Sequence, residues 1–297
     1  MVKYKTLNNG NTIAALGLGT WELEKELAGS TVKYAIAEAG YRHIDCASVY
    51  GNQAEIGEVF KELFRGLVKR EEVFITSKLW NTDHQPERVE EACKKTLNDL
   101  QLEYLDLYLM HWGIAFKPGK AITDDVSIQE TWGAMEELVK KGLVKSIGVA
   151  NFTTMMLVDL LTYAKIKPVM NQIELHPYNS QVELIEFCQY KDIAVTAYSP
   201  LGRQGVTTIK GPKLFDEQIV KHIATKHTKT PAQILLNWAI SRGTIPIPKS
   251  ATPERVRENI VVFDFELTDD ERSAINSLNR NYRLVDPIEW WGIPYFI

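Results

Sequence analysis

Long apolar runs are missing from this chain of 297 residues: nothing approaches the roughly 18 consecutive apolar residues that a membrane-crossing helix needs. The opening Met1-Val2-Lys3-Tyr4-Lys5 has no apolar core of the kind a secretory leader carries. Cysteine is scarce. Cys46, Cys93 and Cys188 are odd in number, far apart and in no C-x-x-C, which argues against a disulfide framework or a structural zinc site and fits a reducing compartment. Excess positive charge is absent as well. With 34 basic and 38 acidic residues the net charge is -4, unlike a general nucleic-acid or anionic-membrane binder. There is no H-E-x-x-H, and His222 and His227 are five apart, off one helical face, so no metal is expected. G-x-S-x-G is missing, and with it the nucleophile elbow. A soluble, cytoplasmic protein is the expectation.

What is present is an ordinary globular composition, 45% apolar and 24% charged, in a length that suits one α/β barrel domain spanning residues 1–297. Asn8-Asn9-Gly10-Asn11 reads as a hairpin turn, because Asn and Gly tolerate positive φ. From Ala15–Thr20 onward, short apolar runs alternate with helical patterns. Strands are expected at His43–Asp45, Val73–Ser77, Leu105–Met110, Val144–Val149, Val169–Glu174, Ile193–Ala197 and Thr244–Pro246. Between them, apolar residues recur at helical spacing, for example Val32, Ala35, Ile36 and Ala39 behind Ser30 as an N-cap, and Val89, Cys93 and Leu97 behind Pro86 as a first helical residue. Eight strand candidates, each followed by a helix, point to a (β/α)8 TIM barrel in the α/β class. An open doubly wound sheet is the alternative. It usually brings G-x-G-x-x-G, and Gly17-Leu18-Gly19-Thr20-Trp21-Glu22 lacks the third glycine.

In a barrel the active site gathers at the carboxyl ends of the strands. Those positions here are Thr20-Trp21, Asp45, Lys78-Leu79-Trp80, His111-Trp112, Ala150-Asn151, Gln172, Tyr198-Ser199-Pro200 and Lys249-Ser250. Nearly all are polar, ionisable or large aromatics. Asp45, Lys78 and His111 come from consecutive strands, and Tyr50 follows Asp45 in the loop. A free tyrosine, with pKa near ~10, trades protons poorly at neutral pH. A lysine ammonium about 4 Å away, at an effective dielectric of about 20, favours the phenolate by roughly 4 kcal/mol, about 3 pKa units before desolvation opposes it. Asp45 would hold Lys78 charged, and His111 would offer a hydrogen bond to a substrate oxygen beside Tyr50. An acid with neither metal nor nucleophile beside it needs a partner that supplies electrons, such as a bound hydride donor. Ile245–Arg255 ends at a helix start marked by Thr252 and Pro253, a natural anion site flanked by Lys249 and Arg255.

These stretches resemble the aldo-keto reductase superfamily, of the aldose/aldehyde reductase type. The resemblance is carried, from Leu16 to the tail, by G-Y-R-H-I-D-C-A-S-V-Y (Gly40–Tyr50), I-T-S-K-L-W (Ile75–Trp80), Y-L-D-L-Y-L-M-H-W (Tyr104–Trp112), N-Q-I-E-L-H-P (Asn171–Pro177), Y-S-P-L-G (Tyr198–Gly202) and I-P-K-S-A-T-P-E-R (Ile247–Arg255). It implies a barrel that binds NADPH/NADP+ in extended form and reduces a small-molecule carbonyl substrate. By that match Tyr50 is the proton donor, tuned by Lys78 and Asp45, with His111 orienting the carbonyl. Asn151 and Gln172 would hold the carboxamide and Tyr198 would stack on the nicotinamide. Thr20, Trp21 and Asp45 belong to the same cofactor set. Ser199, Leu201, Lys249, Ser250, Arg255, Glu258 and Asn259 would line the pyrophosphate and adenosine. Trp21, Val49, Trp80, His111 and Trp112 match the substrate pocket, to which Trp290 would add from a C-terminal substrate loop. A monomer without nucleic-acid or membrane partners is implied.

Three positions depart from the family pattern. Ala150 replaces a Ser beside the Asn, which would remove a carboxamide hydrogen bond. Gly113 replaces the proline after His-Trp, which would loosen the pocket wall. Arg203 stands where a small hydroxyl residue often contacts the pyrophosphate, and it would add a phosphate contact or face solvent. The alternative function on the same scaffold is an NADP-binding regulatory protein that senses the cofactor without turnover.

Overall fold

The computed structural model describes residues 3–203 and 213–296. Its first two strands, β1 (Tyr4–Thr6) and β2 (Thr12–Ala14), form an antiparallel hairpin with Gly10 at φ +86° in the turn. The hairpin plugs the amino end of a barrel. Asn8 Nδ2 donates to the carbonyls of Pro168 and Asp192, Asn9 and Asn11 donate to Ser146 Oγ, and Leu7 and Ile13 pack on Phe74, Leu107, Val169, Met170 and Ile245.

Eight parallel strands follow: β3 (Leu18–Gly19), β4 (His43–Asp45), β5 (Phe74–Leu79), β6 (Leu107–Met110), β7 (Ile147–Ala150), β8 (Met170–Glu174), β9 (Ala194–Tyr198) and β10 (Ile245–Pro246). Each pairs with the next in sequence. The ring closes where Gly17 N–H donates to Pro246 O (3.0 Å) and Gly19 N–H to Pro248 O (3.1 Å). Glycine is required at this join, since a Cβ on Gly19 would lie 2.7 Å from Ile247 O. The strands are buried on both faces, as parallel strands wrapped by helices must be, which is why they read as continuous apolar runs.

The helices are α1 (Lys25–Ala37), α2 (Gln53–Leu63), α3 (Pro86–Asp99), α4 (Ile128–Lys140), α5 (Thr154–Tyr163), α6 (Val182–Tyr190), α7 (Gln218–His227), α8 (Pro231–Ser241), α9 (Pro253–Ile260), α10 (Asp269–Asn276) and α11 (Ile288–Trp291). Pro86 opens α3 as expected, where its missing N–H costs nothing. Ser30, expected as the N-cap of the first helix, lies inside α1, which begins a turn earlier at Lys25; its hydroxyl donates to Leu27 O. The charged Glu24–Glu26 stretch hid that first turn from the apolar pattern. The short α11 in the tail had no periodicity to announce it. No helix among the described residues is long and apolar enough to cross a membrane.

Candidate active site

Asp45 ends β4, and the chain turns at once into one turn of 3-10 helix, Ser48–Tyr50, closed by Gly51 at φ +71°. That turn brings the Tyr50 hydroxyl back over the strand it has just left. Lys78, on β5, is buried to 0% exposure and reaches across the barrel floor. Its ammonium donates to Asp45 Oδ1 (2.5 Å), Cys46 O (2.9 Å) and Tyr50 Oη (3.1 Å). Gln172 Nε2, from β8, donates to the other oxygen, Asp45 Oδ2 (2.7 Å). Both carboxylate oxygens therefore have donors, the condition for keeping a buried charge. The His111 ring stands 5.9 Å from the Tyr50 ring and 5.1 Å from the Trp80 ring, edge to face in both cases.

Burial pushes the Tyr50 phenol up to about 12, against the pull of Lys78, with Asp45 adding to the rise. The sequence reading expected Lys78 to acidify this phenol; desolvation outweighs that attraction, so Tyr50 holds its proton. Burial alone would lower Lys78, but Asp45 and Tyr50 raise it above the ordinary lysine value, so it remains a cation. Burial, then Lys78 and His84, hold His111 well below the usual histidine range. Its ring is neutral at physiological pH, and its buried Nδ1 has no hydrogen-bond partner among the described residues.

Asp45, Tyr50, His111 and Gln172 form the floor of one cleft of about 930 Å³, with Lys78 buried beneath them. Trp21, Val49, Trp80, Trp112 and Trp290 stand around Tyr50 and His111; Asn151, Gln172, Tyr198, Ser199 and Leu201 line the middle; Lys249, Ser250, Arg255, Glu258 and Asn259 line the far end. Thr20 is the exception in the expected cofactor set. It is fully buried and does not line the cleft; its hydroxyl donates to Asp45 O (2.8 Å), bracing the strand end from behind. Asn151 and Tyr198 are joined, with the Tyr198 hydroxyl donating to Asn151 Oδ1 (2.8 Å), while Asn151 Nδ2 donates to His111 O (2.9 Å).

Two of the three departures, Gly113 and Arg203, resolve differently from expectation. Ala150 is buried in the apolar cluster inside the barrel, away from the cleft surface. Gly113 ties the wall down: its N–H donates to Tyr295 Oη (2.8 Å), a bond a proline could not give. Arg203 neither faces solvent nor stands free for phosphate. It pairs with Glu22 (2.5 Å) and lies over the Trp21 ring at 4.4 Å. The tail has two roles. Trp290 lines the cleft, whereas Trp291 packs behind it on Trp112 (5.2 Å) and Phe116 (4.8 Å). Sequence reasoning missed Glu22, Phe215, Asp216 and Val285 in the cleft wall. None sits in a motif, and residues 204–212, which follow the Y-S-P-L-G motif, lie outside the described residues.

A phosphate-bearing dinucleotide fits this donor set. The cleft runs unbroken from a phenol beside an ammonium to Lys249 and Arg255, which make no ion pair with any described residue and sit by the start of α9. A profile of the aldo/keto reductase family matches residues 14–280. The chain belongs to that family. Aldo-keto reductase family 1 member A1 from chicken is 47% identical over 96% of this chain and 91% of its own length. The human protein of that name is 48% identical over 95% and 91%. Among solved structures, a silkworm (Bombyx mori) aldo-keto reductase in complex with NADP superposes with a TM-score of 0.93, at 41% identity over 100% of this chain and 99% of that one. The aldose reductase from Schistosoma japonicum superposes with a TM-score of 0.92, at 42% identity over 99% and 98%. The (β/α)8 architecture is therefore that of an aldo-keto reductase.

Proposed function

We propose that this aldo-keto reductase is an NADPH-dependent enzyme that reduces aldehydes, including aldose sugars, and some ketones to alcohols, with Tyr50 as proton donor. The observation that carries the reading is the Tyr50–Lys78–Asp45 chain, 3.1 Å and 2.5 Å, at the floor of a cleft whose far end presents Lys249 and Arg255, two cations with no ion pair among the described residues. NADPH, when bound, supplies the hydride. Asn151, Gln172 and Tyr198 would hold its nicotinamide end, and Lys249, Ser250, Arg255, Glu258 and Asn259 its phosphate and adenosine end.

The chain's own residues manage the oxygen. A neutral His111 donates a hydrogen bond to the carbonyl and cannot compete for the proton. As negative charge grows on that oxygen, Tyr50 gives up its proton, and the Lys78 cation steadies the phenolate left behind. A pKa of about 12 suits this work. The proton stays on Tyr50 until an alkoxide, a far stronger base than water, is forming beside it. Trp21, Val49, Trp80, Trp112 and Trp290 give an apolar wall that excludes water and suits hydrophobic or aromatic aldehydes.

The enzyme acts as a monomer in the cytoplasm, with the whole chain as one domain and no nucleic-acid or membrane partner. The test is NADPH oxidation with a panel of aldehydes, wild type against Tyr50→Phe. Turnover by the wild type and a loss of about 10²-fold or more in the variant is expected for a positioned general acid. Equal rates, or none in either, would favour the cofactor-sensing alternative.

A further inference from the structure

The N-Q-I-E-L-H-P segment contains two buried ionisable residues, Glu174 and His176, that the chemistry above leaves unused. Glu174 ends β8, two residues beyond Gln172 and so on the same face of the strand. It is 1% exposed, yet its carboxylate is fully engaged, and its partners lie on the C-terminal tail. Oε1 accepts from Leu284 N–H (2.7 Å) and from His176 Nε2 (2.7 Å), and Oε2 accepts from Val285 N–H (3.0 Å). Its backbone carbonyl accepts from the side chains of Asn179 and Gln181, and Gln181 Oε1 in turn accepts from Arg283 Nη2 (3.1 Å). One strand end thus grips three consecutive tail residues. Val285 itself lines the cleft and packs with Trp112 and Tyr295.

We infer that Glu174 is a positioning residue that fixes the root of the tail over the substrate end of the cleft and thereby sets the size of aldehyde accepted. Two consecutive backbone N–H groups need an acceptor-only partner, and a carboxylate supplies both oxygens at once. Glutamine has the same shape but turns one oxygen into a donor, so at least one of the three contacts is lost with no change in volume. Gln172 and Asp45, one rung down the same strand face, keep their own hydrogen bond, so the proton-handling end is untouched. The inference rests on the reductase reading for its substrate but not for its anchoring contact.

The experiment compares wild type with Glu174→Gln in three measurements: hydrogen–deuterium exchange of the tail peptide, NADPH binding by fluorescence quenching, and KM and kcat for propanal against a bulky aromatic aldehyde. Losing one charge-assisted bond at the tail root should speed tail exchange and raise KM for the bulky aldehyde about tenfold. NADPH affinity and propanal turnover should stay within about twofold, since the contacts of β8 with Asp45 remain. Unchanged tail exchange, or equal effects on both aldehydes, or weakened NADPH binding, overturns the inference. Trp290→Ala, at a half-exposed position that folding tolerates, gives an independent check should Glu174→Gln fail to fold. It should raise the KM ratio in the same direction, and an unchanged ratio overturns the inference too. If the wild type reduces no aldehyde, the reductase reading fails, while the exchange measurement still decides the anchor.

Discussion

Replacing Lys78 with methionine removes the cation at the centre of the site and leaves Asp45 buried at 1% exposure with nothing to balance its charge. Two consequences can be separated. For stability, stripping one partner from a buried ion pair costs about 3–5 kcal/mol. For chemistry, a unit charge at the 3.1 Å between Lys78 Nζ and Tyr50 Oη contributes about 5 kcal/mol at an effective dielectric of about 20, or about 4 pKa units. Without it, Tyr50 rises further above about 12, because Asp45 still repels the phenolate. A fall of at least 100-fold in kcat/KM is expected, the lower end of what a positioned acid contributes. The double variant Asp45→Asn/Lys78→Met removes attraction and repulsion together. It should be more stable than Lys78→Met alone and no less active. Urea unfolding gives the first quantity and single-turnover hydride transfer the second. If Lys78→Met folds, binds NADPH and reduces aldehydes within tenfold of wild type, or if the double variant is less stable than the single, the account of the site is wrong.

Two further outcomes are expected. Burial holds His43 at about 3, with Lys78 contributing, and His84 at about 4, so the unfolded chain binds more protons than the folded one below the ordinary histidine value. Stability should therefore fall as pH drops through about 6.5 toward about 4, by about 1.6 kcal/mol per residue between pH 6.5 and 5; a denaturant midpoint unchanged over that range would refute it. Gly113→Pro deletes the N–H that holds Tyr295 and pushes ring carbons toward Phe152 and Ile128, which lie 3.2 Å and 3.3 Å from a Cβ there. A loss of about 1–2 kcal/mol in thermal unfolding is expected, with Tyr295→Phe giving a smaller loss of the same sign.

The barrel was legible because parallel strands buried on both faces are read from apolar runs, and all eight strands fall within a few residues of their expected positions. The two-residue strands β3 and β10 lie inside the runs expected for them, Ala15–Thr20 and Thr244–Pro246. Asp45, Lys78 and His111 were legible because each lies at or beside a strand's carboxyl end, a position that topology sends to one rim, and Tyr50 because it follows Asp45 in the loop. What the sequence could not disclose was the balance of opposing forces on Tyr50, since desolvation depends on how tightly the chain closes around its hydroxyl. Thr20 belonged to the cofactor set by resemblance, yet its side chain turns inward to the backbone of the neighbouring strand. Glu174 escaped notice because its partners are backbone N–H groups 110 and 111 residues away, and amide hydrogens leave no mark in a sequence.

The last barrel strand is bounded by Pro246 and Pro248, which have no amide hydrogen to give. Across the join with β3 they accept from Gly17 and Gly19 and return nothing. A parallel ladder normally shares its bonds between both strands; this one runs in a single direction, directly below Lys249 and Ser250. The join below Lys249 and Ser250 is therefore tied by fewer backbone hydrogen bonds than the continuous ladder of β4 and β5 beside Tyr50.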